Sequence, residues 1–111
     1  GGKFHRRYNG FFGLACENMI KTFHVDVALL STTTIQGGSL YTQDEEVVRT
    51  KQSMMAIARK KILLVDESKF HFSALNYVAD VAAFDVVLIS RNVSPEILTQ
   101  MRQARARLEL V

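Results

Sequence analysis

A chain of 111 residues with a formal net charge of +3 has room for one domain, and 48% apolar with 23% charged side chains is the balance of an ordinary folded protein. These values exclude a disordered segment, a collagen-like repeat and a disulfide scaffold, the last because Cys16 is the single cysteine. Basic and acidic groups divide as four and one over residues 1–25, one and four over 26–50, five and two over 51–70, and four and four over 71–111, so no stretch binds DNA by counterion release on its own.

The opening Gly1-Gly2-Lys3-Phe4-His5-Arg6-Arg7-Tyr8 is too polar and glycine-rich for a buried first strand. Residues 14–23 follow with a short helical pattern that places Cys16 as a small buried thiol rather than a nucleophile. Val25–Leu30 is the first of three nearly continuous apolar runs; the others are residues 62–65 and 84–89. Such runs read as strands of a parallel sheet covered on both faces. Between the first two, Thr42-x-x-Glu45 has the spacing of a capping box, with Glu45 and Arg49 one helical turn apart and Arg59-Lys60-Lys61 expected at the helix C-terminus. Residues 75–82 are a weaker helix candidate. Ser94-Pro95 is an N-cap followed by proline at the first helical position, and residues 108–111 make a last strand.

Alternating strands and helices require right-handed crossovers and a mainly parallel sheet, in which ligands bind beyond the carboxyl ends of the strands. The loops to inspect are therefore residues 31–42, 66–74 and 90–94. With three or four strands the sheet is small, and the chain reads like the later part of a larger domain. With one cysteine and so no intramolecular disulfide, the chain is expected in the cytoplasm, and no signal peptide opens it and no apolar run approaches the roughly 18 residues of a membrane span.

Two loop clusters carry candidate chemistry. In Leu64-Val65-Asp66-Glu67-Ser68-Lys69-Phe70 an apolar strand stops at a hydroxyl and an ammonium suited to an anion, while Asp66 caps the loop or orients a cation. The alternative is a solvated charged turn. In Ser31-Thr32-Thr33-Thr34-Ile35-Gln36-Gly37-Gly38-Ser39, hydroxyls such as that of Thr32 together with glycine amides can bind phosphate oxygens, or the segment is a flexible loop; it is not a P-loop. Lys3, Arg6 and Arg7 form a solvated tail or one wall of an anion site. Asp44-Glu45-Glu46 reads as a first-turn acidic cluster. His5, His24 and His71 are scattered without metal-ligand spacing, so neither a metal nor a cofactor is expected. Lys61-Ile62-Leu63-Leu64-Val65-Asp66-Glu67 is similar to the opening of a response-regulator receiver, but Ser90 stands where its phosphate-accepting Asp belongs, and that identification is rejected.

Taken in order, several segments resemble the C-terminal sensor (effector-binding) domain of DeoR-type bacterial transcription regulators. They are Gly1-Gly2 with a basic stretch and Gly13, the Val25–Leu30 strand, a loop with Gly38, Glu46-x-x-x-x-Lys51 with Met54-Met55, Leu63-Leu64-Val65-Asp66-x-Ser68-Lys69-Phe70, and Phe84-Asp85-Val86-Val87-Leu88-Ile89-Ser90. The resemblance covers residues 1–111 as a single domain. It implies a Rossmann-like α/β fold related to ribose-5-phosphate isomerase, present in part. It also implies a non-enzymatic repressor function: binding a phosphorylated sugar or polyol alters operator affinity in an attached winged helix-turn-helix. By motif match Lys69 faces the ligand, Asp66 and Ser68 shape its loop, Lys51 sits on the adjoining helix, and Gly1, Gly2 and Gly38 allow close backbone approach. The helix-turn-helix and the first part of the sensor domain, with its Gly-Thr-Thr type loop, do not occur in these residues, so DNA contact is expected only through that absent domain. An exposed sheet side predicts a homo-oligomer. The rival reading is a sugar-phosphate isomerase or hydrolase on the same fold, using Asp66 or Glu67 as acid–base group.

Overall fold

In a computed structural model that covers Gly1–Val111, β1 (Lys3–His5) and β2 (Gly10–Phe12) form a separate antiparallel hairpin ahead of helix α1 (Leu14–Ile20). Then come β3 (Val25–Leu30), β4 (Thr34–Gln36), β5 (Ser39–Thr42), α2 (Glu45–Ala56) and β6 (Ala58–Val65). A 3-10 turn over Glu67–Phe70 leads to β7 (Asn76–Asp80), β8 (Val86–Ile89), α3 (Pro95–Gln103) and β9 (Leu108–Leu110).

The fold is mixed α/β. Its centre is a four-stranded, wholly parallel sheet in the order β3-β6-β8-β9, flanked by helices. A second, antiparallel sheet of β4, β5 and β7 lies within the crossovers. Because each new strand is added on the same side of the last, right-handed crossovers put every connection on one face of the sheet. Burial follows this rule. Ala28, Leu30, Leu63, Val65, Val87 and Ile89 point into the core with Phe84 and Met101, whereas Val27, Leu29 and Leu64 on the opposite face are 44%, 58% and 42% exposed. The apolar runs therefore correspond to strands, but only one of the two faces expected to be covered is covered here.

Four local expectations are corrected. The capping box does not form. Thr42 is the last residue of β5, its hydroxyl meets that of Thr33 at 3.2 Å, and Asp44 occupies the N-cap position. Arg59, Lys60 and Lys61 do not close the helix, because parallel pairing with β3 draws them into β6 and α2 ends at Ala56. Residues 75–82 do not form the expected helix: Asn76–Asp80 is strand β7, and only Val81 and Ala82 enter a short 3-10 turn. β7 pairs with β5, and a bulge that skips Val78 leaves both Val78 and Ala79 buried, which hides the two-residue period. Cys16 is half-buried, packed at the protein edge with its thiol 3.5 Å from the Phe11 carbonyl. The Ser94-Pro95 start of α3 forms as expected, with the Ser94 hydroxyl accepting the Ile97 amide at 3.4 Å.

Candidate functional site

The tip of β3 and the loop after it, the end of β5, the middle of α2 and the turn after β6 enclose a cavity of about 660 Å³. Lys51 reaches it from α2, which packs on β7 and on β3 and bonds the Val78 carbonyl through the adjacent Gln52. Lys69 reaches it from the 3-10 turn. These two ammonium groups are the only charged side chains in the lining, and neither takes part in an ion pair. Around them stand the hydroxyls of Ser31, Thr32, Thr33, Thr42, Thr50 and Ser73, and the rings of Tyr8, Phe12 and Phe72.

Burial first, and the nearby Lys69 charge second, hold the Lys51 ammonium below the ordinary lysine value of 10.5. Lys51 donates to the Ser31 carbonyl, which aims it at the strand tip. Two uncompensated cations in a half-enclosed, hydroxyl-lined space suit a small anion whose remaining body offers hydrogen-bonding groups and an apolar edge.

Asp66 and Ser68 serve the turn itself. One Asp66 oxygen accepts the Ser68 amide at 2.9 Å and also the Ser68 hydroxyl, and these bonds keep the Asp66 carboxyl below its usual range. Asp66 lines a neighbouring cavity of about 440 Å³ with Ser90, reached past Ser31 and Lys69, which border both spaces. Lys69 thus stands between the tips of β3 and β8.

Of the expected site residues, Lys51, Lys69 and Thr32 come together in the main cavity, and Asp66 and Ser68 lie beside it. Gly1, Gly2 and Gly38 lie outside it. Gly2, at φ +110°, leaves no room for a Cβ, which would lie 2.7 Å from Cys16 Cβ and 2.8 Å from the Phe12 carbonyl. Gly38 forms the β4–β5 turn with Gly37 and packs on the end of α3. Lys3, Arg6 and Arg7 are exposed and do not line the cavity; Tyr8 and Phe12 of the same hairpin do. Tyr8 donates to Asp44, tying the hairpin to the start of α2, and that bond raises the Tyr8 phenol above its usual 10.0. Reading along the chain missed Tyr8, Phe12, Phe72 and Ser73 as cavity residues, since no local spacing links a hairpin, a strand tip and a distant turn, whereas Thr33 lies in the hydroxyl run it named.

The hydroxyl run after β3 is spent mostly on internal bonds. Thr32 donates toward the Thr34 and Tyr41 carbonyls at 3.1 and 3.4 Å, and Thr34 toward the Phe72 and Lys69 carbonyls at 2.8 and 3.0 Å. No group of three or more His, Cys, Asp or Glu side chains stands close enough to hold a metal ion. No helix is long and apolar enough to cross a membrane.

Comparison with known proteins gives a consistent picture. Residues 1–91 match the family model described as the DeoR C terminal sensor domain. The glycerol-3-phosphate regulon repressor of Escherichia coli K12 is 29% identical over 111 residues, covering 99% of this chain and 44% of that protein. The L-fucose operon activator of Haemophilus influenzae is 26% identical, over 84% of this chain and 38% of that protein. The transcriptional repressor GlcR of Bacillus subtilis is 25% identical, over 82% and 35%. The chain thus spans less than half the length of these relatives.

Proposed function

This chain belongs to the DeoR C-terminal sensor domain family, and on that basis we propose that it senses a phosphorylated sugar or polyol for a transcription regulator acting in the cytoplasm. The observation that carries the proposal is the cavity at the tip of β3, where Lys51 and Lys69 face a hydroxyl-lined space with no carboxylate to neutralise them. One relative, the glycerol-3-phosphate regulon repressor, bears a small phosphorylated polyol in its name. Phosphate oxygens would take charge-assisted bonds from the lysines, and the carbon body would lie against Tyr8, Phe12 and Phe72. The mechanism is population shift: the ligand binds one arrangement of the sensor better and biases an attached DNA-binding domain, through which alone operator DNA is touched.

An isomerase or hydrolase that used Asp66 or Glu67 as its acid–base group would need that carboxylate to face the same space. The cavity lining contains no Asp, Glu or His, and Asp66 is engaged by Ser68. This favours binding without turnover. Titration of operator binding by the intact regulator with a panel of sugar and polyol phosphates tests the proposal. The expected result is a shift of operator affinity with a phosphate ester and not with its dephosphorylated form; no response to any ester, or consumption of one, rejects it.

The lowered Lys51 value gives the site a pH signature. Between that value and 10.5 the folded chain holds fewer protons than the unfolded one, so folding stability rises with pH through this window. Anion binding runs the opposite way, since it needs the ammonium. Phosphate affinity should fall as pH climbs through the lowered Lys51 value, before ordinary lysines lose their protons. Affinity that stays flat up to 10.5 removes Lys51 from the set of ligand groups.

Self-association belongs to the same proposal. Val27, Leu29 and Leu64 on the open sheet face are an apolar surface of the kind that closes against protein. Sedimentation of the chain is expected to show a species larger than a monomer. A monomer that persists at high concentration contradicts it.

A further inference from the structure

We infer that Thr34 is a positioning residue that sets Lys69 in the cavity; the inference rests on the cavity being an anion site. Thr34 is fully buried in β4 and is not itself among the cavity residues. Its hydroxyl proton is shared between two carbonyls of the turn that carries the lysine: Phe72 O at 2.8 Å and Lys69 O at 3.0 Å. The neighbouring strand residue on the same face, Gln36, donates from Nε2 to the Phe72 carbonyl at 2.9 Å. Both ends of the segment from Lys69 to Phe72 are therefore pinned to β4 through main-chain atoms, whatever their side chains do.

Apart from these bonds the turn is held by the Phe70 ring, partly buried against the core, which anchors one side chain and leaves the carbonyls of Lys69 and Phe72 to β4. It is a single 3-10 turn with no buried residue of its own, closed inside by the Asp66–Ser68 cap. Two partly buried ammonium groups repel each other, so holding Lys69 beside Lys51 calls for a tether that does not depend on charge. Thr34 supplies it, because a buried hydroxyl facing two carbonyls has no competing water. Valine at this position keeps the shape and removes the donor. Serine keeps the donor.

The experiment follows the lysine Cε signals of the ¹³C-labelled chain by NMR during titration with inorganic phosphate. The variants are Thr34→Val, Thr34→Ser, Lys69→Ala and the double variant Thr34→Val/Lys69→Ala, all well below their unfolding temperatures. Thr34→Val is expected to weaken phosphate binding about tenfold when Lys69 is present and to have little effect when it is absent. Thr34→Ser should restore binding together with the Lys69 shift. Loss of affinity by the same factor in both backgrounds, or unchanged affinity in Thr34→Val, overturns the inference while leaving the anion site standing. If phosphate moves neither Lys51 nor Lys69 in the unaltered chain, the anion site fails and this inference fails with it. Should Thr34→Val not fold, Gln36→Met at an exposed position removes the second donor to Phe72. It is expected to weaken binding about threefold, and unchanged affinity there overturns the inference equally.

Discussion

Lys69→Ala is expected to weaken binding of a phosphate ester by roughly 10- to 100-fold, the effect of removing one charge-assisted hydrogen bond of about 1.5–3 kcal/mol. The chain should not unfold. Lys69 makes no ion pair, its ammonium opposes that of Lys51, and the two carbonyls that pin its segment belong to the main chain and survive the substitution. Thermal stability should stay level or rise slightly. The Lys51 pKa should move upward toward 10.5 without reaching it, because its larger cause, burial, remains. Calorimetric titration, thermal melts and a pH titration of the lysine NMR signals measure the three consequences, and the effector response of operator binding follows the first. Unchanged ester affinity with unchanged effector response would place the ligand elsewhere.

Gly38→Ala is expected to do the reverse, lowering stability while leaving ligand affinity of the folded chain intact. Gly38 has φ +80°, and a Cβ there would lie 2.4 Å from the Ala104 Cβ. Neither atom is the end of a flexible side chain, so the β4–β5 turn or the end of α3 must move. A non-glycine residue in that backbone region costs about 1–2 kcal/mol, and crowding of a packed site typically adds about 1–3 kcal/mol. For a domain near this size that lowers the melting temperature by about 10 °C or more. A Gly38→Ala chain that melts with the original removes the packing explanation. One that keeps its stability and loses phosphate affinity returns Gly38 to the binding site that the family motif suggested.

The strands of the parallel sheet and the start of α3 were legible because their signals are local. Val25–Leu30, interrupted only by Asp26, and residues 62–65 are apolar runs rich in valine, isoleucine and leucine, and Ser94-Pro95 supplies both a side-chain acceptor and a preset φ. The antiparallel sheet was hidden. β4 and β5 are only three and four residues long, and the bulge at Val78 breaks the alternation of β7. The overlooked clue was Gly37-Gly38 between Ile35-Gln36 and Ser39-Leu40, a two-residue hairpin turn with both φ values positive. Thr42 misled for a related reason: the spacing of a capping box is satisfied, but strand pairing and the Thr33 hydroxyl had already engaged it.

Sequence alone located the apolar stretches at the heart of the central strands, and its motif resemblance singled out Lys51 and Lys69. Those properties are written in short-range order, through side-chain period, branching and turn chemistry. Only the tertiary structure decided that the two lysines share one cavity without a carboxylate, that Tyr8, Phe12 and Phe72 wall it, that Thr34 holds the second lysine's turn, and that one sheet face stays open. The reason is geometric: strand order and right-handed crossovers bring distant segments to one strand tip and put every connection on one side, and neither outcome has a local sequence period to read.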